Sequence, residues 1–310
     1  MPSVSAHLLR IGTRGSPLAL AQAHQVQARL AAALGMAPAA IELKVIKTTG
    51  DAIQNRPLTE IGGKGLFVKE IEQALFDDAI DLAVHSAKDV PGVLPDGLAL
   101  ACCLPREDAR DAFISRKAAS FAALPRGAVV GTASPRRAAM VRRLRPDLAV
   151  VPLRGNVETR LKKLDAGEVD ATLLAMAGLN RLGLAAAATA PLDVDEFLPA
   201  VGQGVIALET RADDIRTRDR LAAINDAAAA TALAAERAFL AMLDGSCRTP
   251  IAGHARLDGG GLYFRGLIVK PDGRESFETE RRGNAADAAM LGEDAGRELR
   301  SRAGTDFFSV

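Results

Sequence analysis

The sequence is poor in aromatic residues, in cysteine and in long apolar runs. Aromatic side chains make up 4% of the 310 residues, with no tryptophan and one tyrosine, which argues against the base-stacking surfaces of nucleic-acid binders. Three cysteines, two of them adjacent at Cys102 and Cys103, cannot close a disulfide framework. No apolar run approaches the ~20 residues of a membrane span, and residues 1–10 lack the apolar core of a signal peptide. We therefore expect a reduced, cytoplasmic protein.

The remaining composition is that of a globular protein of two or three domains. Hydrophobic residues make up 48% and charged residues 25%, which is enough apolar material for several cores. The net charge is only +1, yet residues 136–163 hold nine basic residues against two acidic ones. A local surplus of this size indicates an anionic ligand or a solvated helix face. Four histidines and three cysteines at unsuitable spacings predict that there is no metal site.

Short apolar runs alternate with helical patterns over the first two thirds of the chain, which predicts an α/β fold with a parallel or mixed sheet. The pattern begins twice: residues 12–17 and 131–135 both place Gly-Thr and then Ser-Pro between a predicted strand and a predicted helix. We expect two similar α/β domains facing each other across a cleft. An Ala-rich helix over residues 231–243 and three strand-like runs over residues 251–281 then predict a small α+β domain at the C-terminus.

Both Ser-Pro helix starts have arginine beside them. Arg14 precedes the first, and Arg136 and Arg137 follow the second. Free N–H groups and the helix dipole attract carboxylate or phosphate, so two such starts with arginine predict an anion-binding cleft. Plain helix capping remains the alternative for either start alone. Arg154 and Arg160 flank the next predicted strand–helix junction, where ligands of open α/β sheets bind.

A polar cluster follows the predicted strand at residues 82–85. Asp89 is placed to line a crevice, where an acid donates a proton or stabilises a cation. The alternative is that Asp89 only pairs with Lys88 or caps a helix. His85 is expected to be a hydrogen-bonded packing residue.

Two loops complete the candidate sites. Gly62, Gly63 and Lys64 are followed by glycine, so the stretch is not a P-loop; a mobile lid and an anion-binding turn both fit it. Cys247 lies beside Arg248 just past the Ala-rich helix, which favours a nucleophilic thiolate, although an incidental thiol fits as well.

Taken together, ten segments of the chain closely resemble the porphobilinogen deaminase (hydroxymethylbilane synthase) family. The matching segments occur in consistent order and are residues 11–21 (IGTRGSPLALA), 47–51 (KTTGD), 62–70 (GGKGLFVKE), 83–91 (AVHSAKDVP), 105–114 (PREDARDAFI), 130–137 (VGTASPRR), 153–161 (LRGNVETRL), 179–181 (LNR), 201–204 (VGQG) and 245–250 (GSCRTP). The last ~55 residues match only in pattern.

The resemblance implies three domains, two of them like periplasmic binding proteins. We expect domain 1 over residues 1–104 and 205–222, domain 2 over residues 105–204, and domain 3 over residues 223–310. It further implies a dipyrromethane cofactor bound covalently to Cys247 through a thioether. The family condenses four porphobilinogen molecules head to tail on that cofactor with loss of ammonia, and hydrolysis then releases the linear tetrapyrrole.

The resemblance also implies a role for each site residue. Asp89 would be the catalytic acid that stabilises the cationic intermediate, and residues 62–64 would form a lid. The residues expected to hold the cofactor are Ser86, Lys88, Asp89, Thr132, Ser134, Arg136, Arg137 and Arg160. Those expected to hold the substrate or the growing oligopyrrole are Arg14, Ser16, Arg154, Arg160, Arg181 and Gln203. Guanidinium groups suit the acetate and propionate side chains because they bind carboxylates in bidentate pairs.

Two other classes of protein would share part of this pattern. A solute-binding or sensor protein would share the two-domain cleft but would not need Cys247. A nucleic-acid binder would use the basic segment, but balanced charge and scarce aromatics disfavour it. The sequence therefore predicts a cytoplasmic, monomeric transferase of tetrapyrrole biosynthesis with no nucleic-acid or membrane partner.

Overall fold

The computed structural model describes residues 9–52, 68–243, 249–304 and 307–308. Its strands are β1 (Leu9–Thr13), β2 (Ile41–Val45), β3 (Leu82–Ser86), β4 (Leu98–Cys103), β5 (Asp111–Ser115), β6 (Val129–Gly131), β7 (Ala149–Val151), β8 (Ala171–Ala175), β9 (Ala190–Pro191), β10 (Ile206–Arg211), β11 (Ile251–Asp258), β12 (Gly261–Val269) and β13 (Ser276–Asn284). Its α-helices are α1 (Pro17–Ala33), α2 (Thr49–Ala52), α3 (Lys69–Phe76), α4 (Pro135–Leu144), α5 (Val157–Asp165), α6 (Met176–Arg181), α7 (Ile215–Ala222), α8 (Ala227–Met242) and α9 (Ala288–Ala303).

The described residues divide into two compact units. Unit 1 is built from the chain up to α2, from α3 to Arg106, and from Val205 to Ala230. Unit 2 takes the chain from Glu107 to Gly204 and from Thr231 onward. Both units are therefore discontinuous, and the chain leaves unit 1 after β4 and returns to it just before β10.

Unit 1 contains a mixed sheet in the order β2-β1-β3-β10-β4. Strands β1, β2 and β3 are parallel, whereas β10 runs antiparallel to both β3 and β4. Helix α1 begins where the sequence predicts: the Ser16 hydroxyl accepts a hydrogen bond from the Ala19 N–H, and proline follows at the first turn. The helix ends before Gly35, whose φ of +63° suits glycine.

Unit 2 contains a second sheet with the same topology, in the order β7-β6-β8-β5-β9. Strands β6, β7 and β8 are parallel, and β5 is antiparallel to β8 and β9. Ser134 caps α4 as Ser16 caps α1, accepting from the Arg137 N–H. The repeated Gly-Thr and Ser-Pro pattern thus lies at equivalent strand–helix junctions, and the α/β fold class with two similar sheets is confirmed.

The periodicity missed five elements, of which β5 matters most. All five residues of β5 are buried, so the strand has no polar–apolar alternation by which to recognise it. Its first residue, Asp111, follows a run of charged residues that is typical of a loop. Helices α2, α6 and α7 and the two-residue strand β9 were also not predicted.

Strands β11, β12 and β13 form an antiparallel sheet. The core under this sheet joins Phe239 of α8 and Phe264 of β12 to Leu299 of α9. Helix α9 lies so close to α8 that a Cβ at Gly292 would stand 2.0 Å from the Ala235 carbonyl oxygen. The small C-terminal sheet-and-helix part is confirmed, while the residue bounds of three separate domains stay a prediction.

None of the helices that the structure describes is long and apolar enough to cross a membrane.

Candidate functional site

A pocket in unit 1 brings together four of the residues singled out in the sequence. Its wall includes Arg14 and Ser16 at the start of α1, and Ser86 and Asp89 after β3. These segments lie about 70 residues apart in the chain, and the parallel pairing of β1 with β3 places their carboxyl ends at one edge of the sheet. The pocket therefore combines a helix N-terminus, a guanidinium, a hydroxyl and a carboxylate.

The corner that bears Asp89 is fixed by hydrogen bonds. A short 3-10 turn covers Ala87–Asp89, and the Ala87 N–H donates to the Val205 carbonyl at 3.0 Å. Gln22 of α1, which is 2% exposed and also lines the pocket, donates from its side-chain amide to the Ser86 hydroxyl at 2.9 Å. Gln22 was not predicted as a pocket residue; it lies six residues beyond Ser16, in the helix that Ser16 caps.

Buried acids and a histidine lie behind this pocket. The Nε2 atom of His85 is 3.0 Å from an Oε atom of Glu209, and both side chains are almost fully buried. Glu72 of α3 is near them: burial and the charge of Glu209 raise the pKa of Glu72 to about 7, and His85 partly opposes the rise. His85 is thus a hydrogen-bonded buried residue as expected, but it also lines the pocket.

The polar centre of unit 2 is Asp111, at the start of β5. It is 0% exposed and accepts hydrogen bonds from Arg136, Arg137 and Gln203 at 2.6–3.1 Å. The two arginines follow the Ser134 cap, and each also donates to a backbone carbonyl, of Leu198 and Leu173 respectively. The positive charges hold the pKa of Asp111 down at about 2, although burial acts in the opposite direction.

This geometry gives Arg136, Arg137 and Gln203 an internal partner that the sequence did not suggest. All three are at most 5% exposed, and their hydrogen bonds with Asp111 hold β5 against α4 and the 201–204 turn. Two guanidinium groups share one carboxylate, so the cluster keeps a surplus positive charge. Direct contact of these three residues with cofactor or substrate stays a prediction.

A second group of arginines extends from this cluster. Burial and the nearby charges of Arg137 and Arg154 lower the pKa of Arg160 to about 10. Arg160 donates to the Gly155 carbonyl, whereas the Nη1 atom of Arg154 is buried with no hydrogen-bond partner in the described part of the chain. A buried donor left unpaired near a second cation, Arg160, is a place where an anion is stabilised.

Other predicted residues of unit 2 lie at neighbouring strand and helix ends. Thr132 is 4% exposed, and its hydroxyl accepts from the Ser134 N–H at 3.2 Å. Arg181, at the end of α6, donates to the Gly204 carbonyl at 2.6 Å. Burial lowers the pKa of Arg181 to about 10, against the attraction of Glu107.

Some predicted residues lie outside the part of the chain that the structure describes. These are the lid residues Gly62, Gly63 and Lys64 and the cofactor cysteine Cys247. Lys88 is described and partly buried, next to Asp89. Among the described residues, no group of three or more histidine, cysteine or acidic side chains is arranged to hold a metal ion.

The family models and the curated relatives agree on one family. Residues 9–219 match the model "Porphobilinogen deaminase, dipyromethane cofactor binding domain", and residues 230–301 match "Porphobilinogen deaminase, C-terminal domain". The porphobilinogen deaminase of Nitrobacter hamburgensis is 64% identical over 98% of this chain and 96% of its own length. That of Paracoccus denitrificans is 58% identical over 97% and 96%. Among solved structures, the methionine-binding protein MetQ aligns with a TM-score of 0.44 and 16% identity over 70% of this chain and 89% of its own.

Proposed function

The chain belongs to the porphobilinogen deaminase family, and we propose that it condenses four porphobilinogen molecules head to tail on a dipyrromethane cofactor, releasing ammonia and then the linear tetrapyrrole. It is accordingly a transferase of porphyrin biosynthesis. The observation that carries the site assignment is the pocket of unit 1, which gathers Asp89, Arg14, Ser16 and Ser86 on one wall.

We assign the chemistry to Asp89. A carboxylate at the pocket wall stabilises the positive charge that develops when the amine leaves, and it orients pyrrole N–H groups by accepting their hydrogen bonds. Arg14 and the capped start of α1 on the same wall bind the substrate carboxylates. Asp89 and Arg14 thereby hold charges of opposite sign on the substrate, which fixes its orientation.

The arginines of unit 2 fit an oligopyrrole rich in carboxylates. The unpaired Nη1 of Arg154 and the unpaired buried Nε of Arg136 are donors that an acetate or propionate group satisfies. An anion bound beside Arg160 offsets the repulsion between its positive charge and those of Arg137 and Arg154. The dipyrromethane, when bound, supplies the pyrrole end from which the chain grows, and Arg137, Arg160, Lys88 and Ser134 belong to the residues that we propose hold it.

We propose Cys247 as the point of covalent attachment. The two other cysteines are unsuited to the role because both are buried in unit 1. Burial, together with the neighbouring Cys103, raises the pKa of Cys102 to about 12, so that thiol does not form the nucleophilic thiolate at neutral pH. The lid role of residues 62–64 is proposed on the family resemblance alone.

Intact-mass measurement tests the cofactor assignment. The purified wild-type chain should exceed its sequence mass by two linked pyrrole units, and brief exposure to porphobilinogen should add discrete heavier species. The variant Cys247→Ser should have the bare sequence mass and no activity, whereas Cys102→Ser should keep the adduct. An active wild-type enzyme at the bare sequence mass would contradict the proposal.

The role of Asp89 is tested by Asp89→Asn, which keeps the shape and removes the charge. We expect the adduct on Cys247 to form and turnover to fall by about 10²-fold or more, the usual contribution of a positioned acid or base. The matched control is Asp96→Asn, at an exposed position of the same unit. Turnover in Asp89→Asn near that of the control would remove the proposed role.

We further propose that the enzyme is a cytoplasmic monomer that binds neither nucleic acid nor membranes. Light scattering at several protein concentrations should give the mass of one chain. A fluorescent oligonucleotide that binds at low salt and is released as salt rises, as phosphate contacts require, would count against the proposal.

A further inference from the structure

Three buried titratable side chains behind the unit 1 pocket have no part in the mechanism given above. Glu72 of α3, His85 of β3 and Glu209 of β10 are 8%, 5% and 0% exposed. His85 and Glu209 lie on neighbouring antiparallel strands, where Glu209 pairs with Ala83 and His85 with Ala207. Their side chains meet at 3.0 Å, and α3 places Glu72 beside them.

The two carboxylates leave oxygens without a donor. One Oε of Glu72 and one Oε of Glu209 are buried and have no hydrogen-bond partner among the described residues. Burial opposes two ionised carboxylates side by side. Accordingly, burial and the charge of Glu209 raise the pKa of Glu72 to about 7, so that Glu72 is protonated in a large fraction of molecules near neutrality.

The charged groups of the elements around this triad are engaged elsewhere or face the pocket. Arg10 of β1 and Arg211 of β10 form ion pairs with the exposed Asp78 and the partly buried Asp81 and Asp214. On α3, Glu70 accepts hydrogen bonds from Thr49. On the pocket side, Arg14 and Asp89 share the wall with His85.

We propose that His85, held by Glu209 and backed by Glu72, is a further catalytic group of this pocket: the base that accepts the proton lost from the pyrrole ring at each condensation. A hydrogen bond donated by Nε2 to Glu209 fixes the tautomer and leaves Nδ1 to accept. Glu72 and Glu209 are positioning residues, because they act through the imidazole. The inference rests on the proposed function.

The step balances without a further reactant. The ammonium group of the substrate leaves as ammonia with the electron pair of its C–N bond. A ring carbon of the growing chain then supplies the pair for the new C–C bond. The C–H bond at that carbon breaks, its pair restores the aromatic ring, and the proton moves to Nδ1 of His85. Release of this proton to ammonia gives one ammonium ion per cycle, with no change of oxidation state.

The first test is spectroscopic and uses the wild-type holoenzyme. Infrared spectroscopy should show the C=O band of a buried protonated carboxyl group, which disappears with a midpoint near pH 7. The band should be missing in Glu72→Gln and unchanged in Glu70→Gln, a matched control on the same helix. A wild-type spectrum without a titrating buried carboxyl would overturn the triad whatever the variants do.

The second test separates binding from proton transfer. His85→Gln, checked for an intact fold by thermal melting and for the adduct by intact mass, should lower kcat by about 10²-fold and leave KM within a factor of about three. In the wild type, the pH profile of kcat should show a step with a midpoint near pH 7, because ionisation of Glu72 adds a negative charge beside the imidazole. This step should be absent in Glu72→Gln.

Failure of the proposed role of His85 can be told apart from failure of the proposed function. A wild-type holoenzyme that makes no tetrapyrrole from porphobilinogen refutes the proposed function. A productive wild type whose kcat and pH profile are reproduced by His85→Gln and Glu72→Gln refutes only the role of the triad.

Discussion

Replacing Asp111 by asparagine should destabilise the protein far more than any exposed ion pair does. Asp111 is 0% exposed and is the carboxylate shared by Arg136 and Arg137. Asparagine keeps the shape but leaves two buried guanidinium groups without a counter-charge. Removing one partner from a buried ion pair costs about 3–5 kcal/mol.

The pKa of Asp111 gives a second figure of the same order. Its arginine partners lower the pKa from 3.8 to about 2, and at about 1.4 kcal/mol per pH unit this difference is worth about 2.5 kcal/mol. Since the folded pKa lies below the unfolded one, the stabilisation is complete above about pH 4 and is lost as pH falls towards 2. The difference in unfolding free energy between the wild type and Asp111→Asn should therefore become smaller as pH falls from about 4 towards 2.

The assay is urea unfolding at pH 7 and at pH 3, with melting temperatures as a check. We expect Asp111→Asn to lower the melting temperature by on the order of 10 °C at pH 7. The control is Asp147→Asn: the side-chain hydrogen bond from Arg145 also lowers the pKa of Asp147 to about 2. The side chains of this pair are 19% and 22% exposed, so solvent screens it more than the fully buried Asp111 cluster. Equal effects of the two substitutions at pH 7 would refute the reasoning.

Two further substitutions test the packing and the anion site. Gly292→Ala should lower the free energy of unfolding by about 1–3 kcal/mol or more in urea, because the added methyl group meets the Ala235 carbonyl oxygen at 2.0 Å. Ser301→Ala, at an exposed position of the same helix, should change this free energy little. Equal stabilities of the two variants would count against the close approach of the helices. Arg154→Gln should raise KM for porphobilinogen at least about tenfold, since a charge-assisted hydrogen bond is worth about 1.5–3 kcal/mol, while the free energy of unfolding stays unchanged. The control is Arg216→Gln, at an exposed position of α7. An unaltered KM in Arg154→Gln would remove Arg154 from the site.

Local sequence signals predicted much of the fold. The starts of α1 and α4 follow from Ser-Pro alone, because a hydroxyl cap and a proline act within one turn. The repetition of that signal anticipated the shared topology of the two sheets. It also placed Arg14 and Ser16 at a strand–helix junction, where the structure has a pocket.

The sequence did not reveal where β5 lies or what its first residue does. Asp111 looks like one more charge in a polar run, yet its partners Arg136 and Arg137 lie 25 and 26 residues further along the chain. The charges of Arg136 and Arg137, which were predicted to bind an anion, are therefore partly neutralised by Asp111, an acid that only the tertiary structure places next to them. The buried pair of His85 and Glu209, 124 residues apart, was hidden for the same reason.

By itself the sequence determined the α/β class, the starts of α1 and α4 and, through the order of its motifs, the family; it also offered Asp89 as a candidate pocket acid. Those features depend on residues within a few positions of one another or on motifs in a fixed order. The tertiary structure decided the partners and the electrostatic surroundings of the polar side chains: which arginines are paired, which of the described donors remain unpaired, and that burial and Glu209 raise the pKa of Glu72 to about 7. These properties depend on burial and on the distances between charges, and both are set by the packing of segments that are remote in the chain.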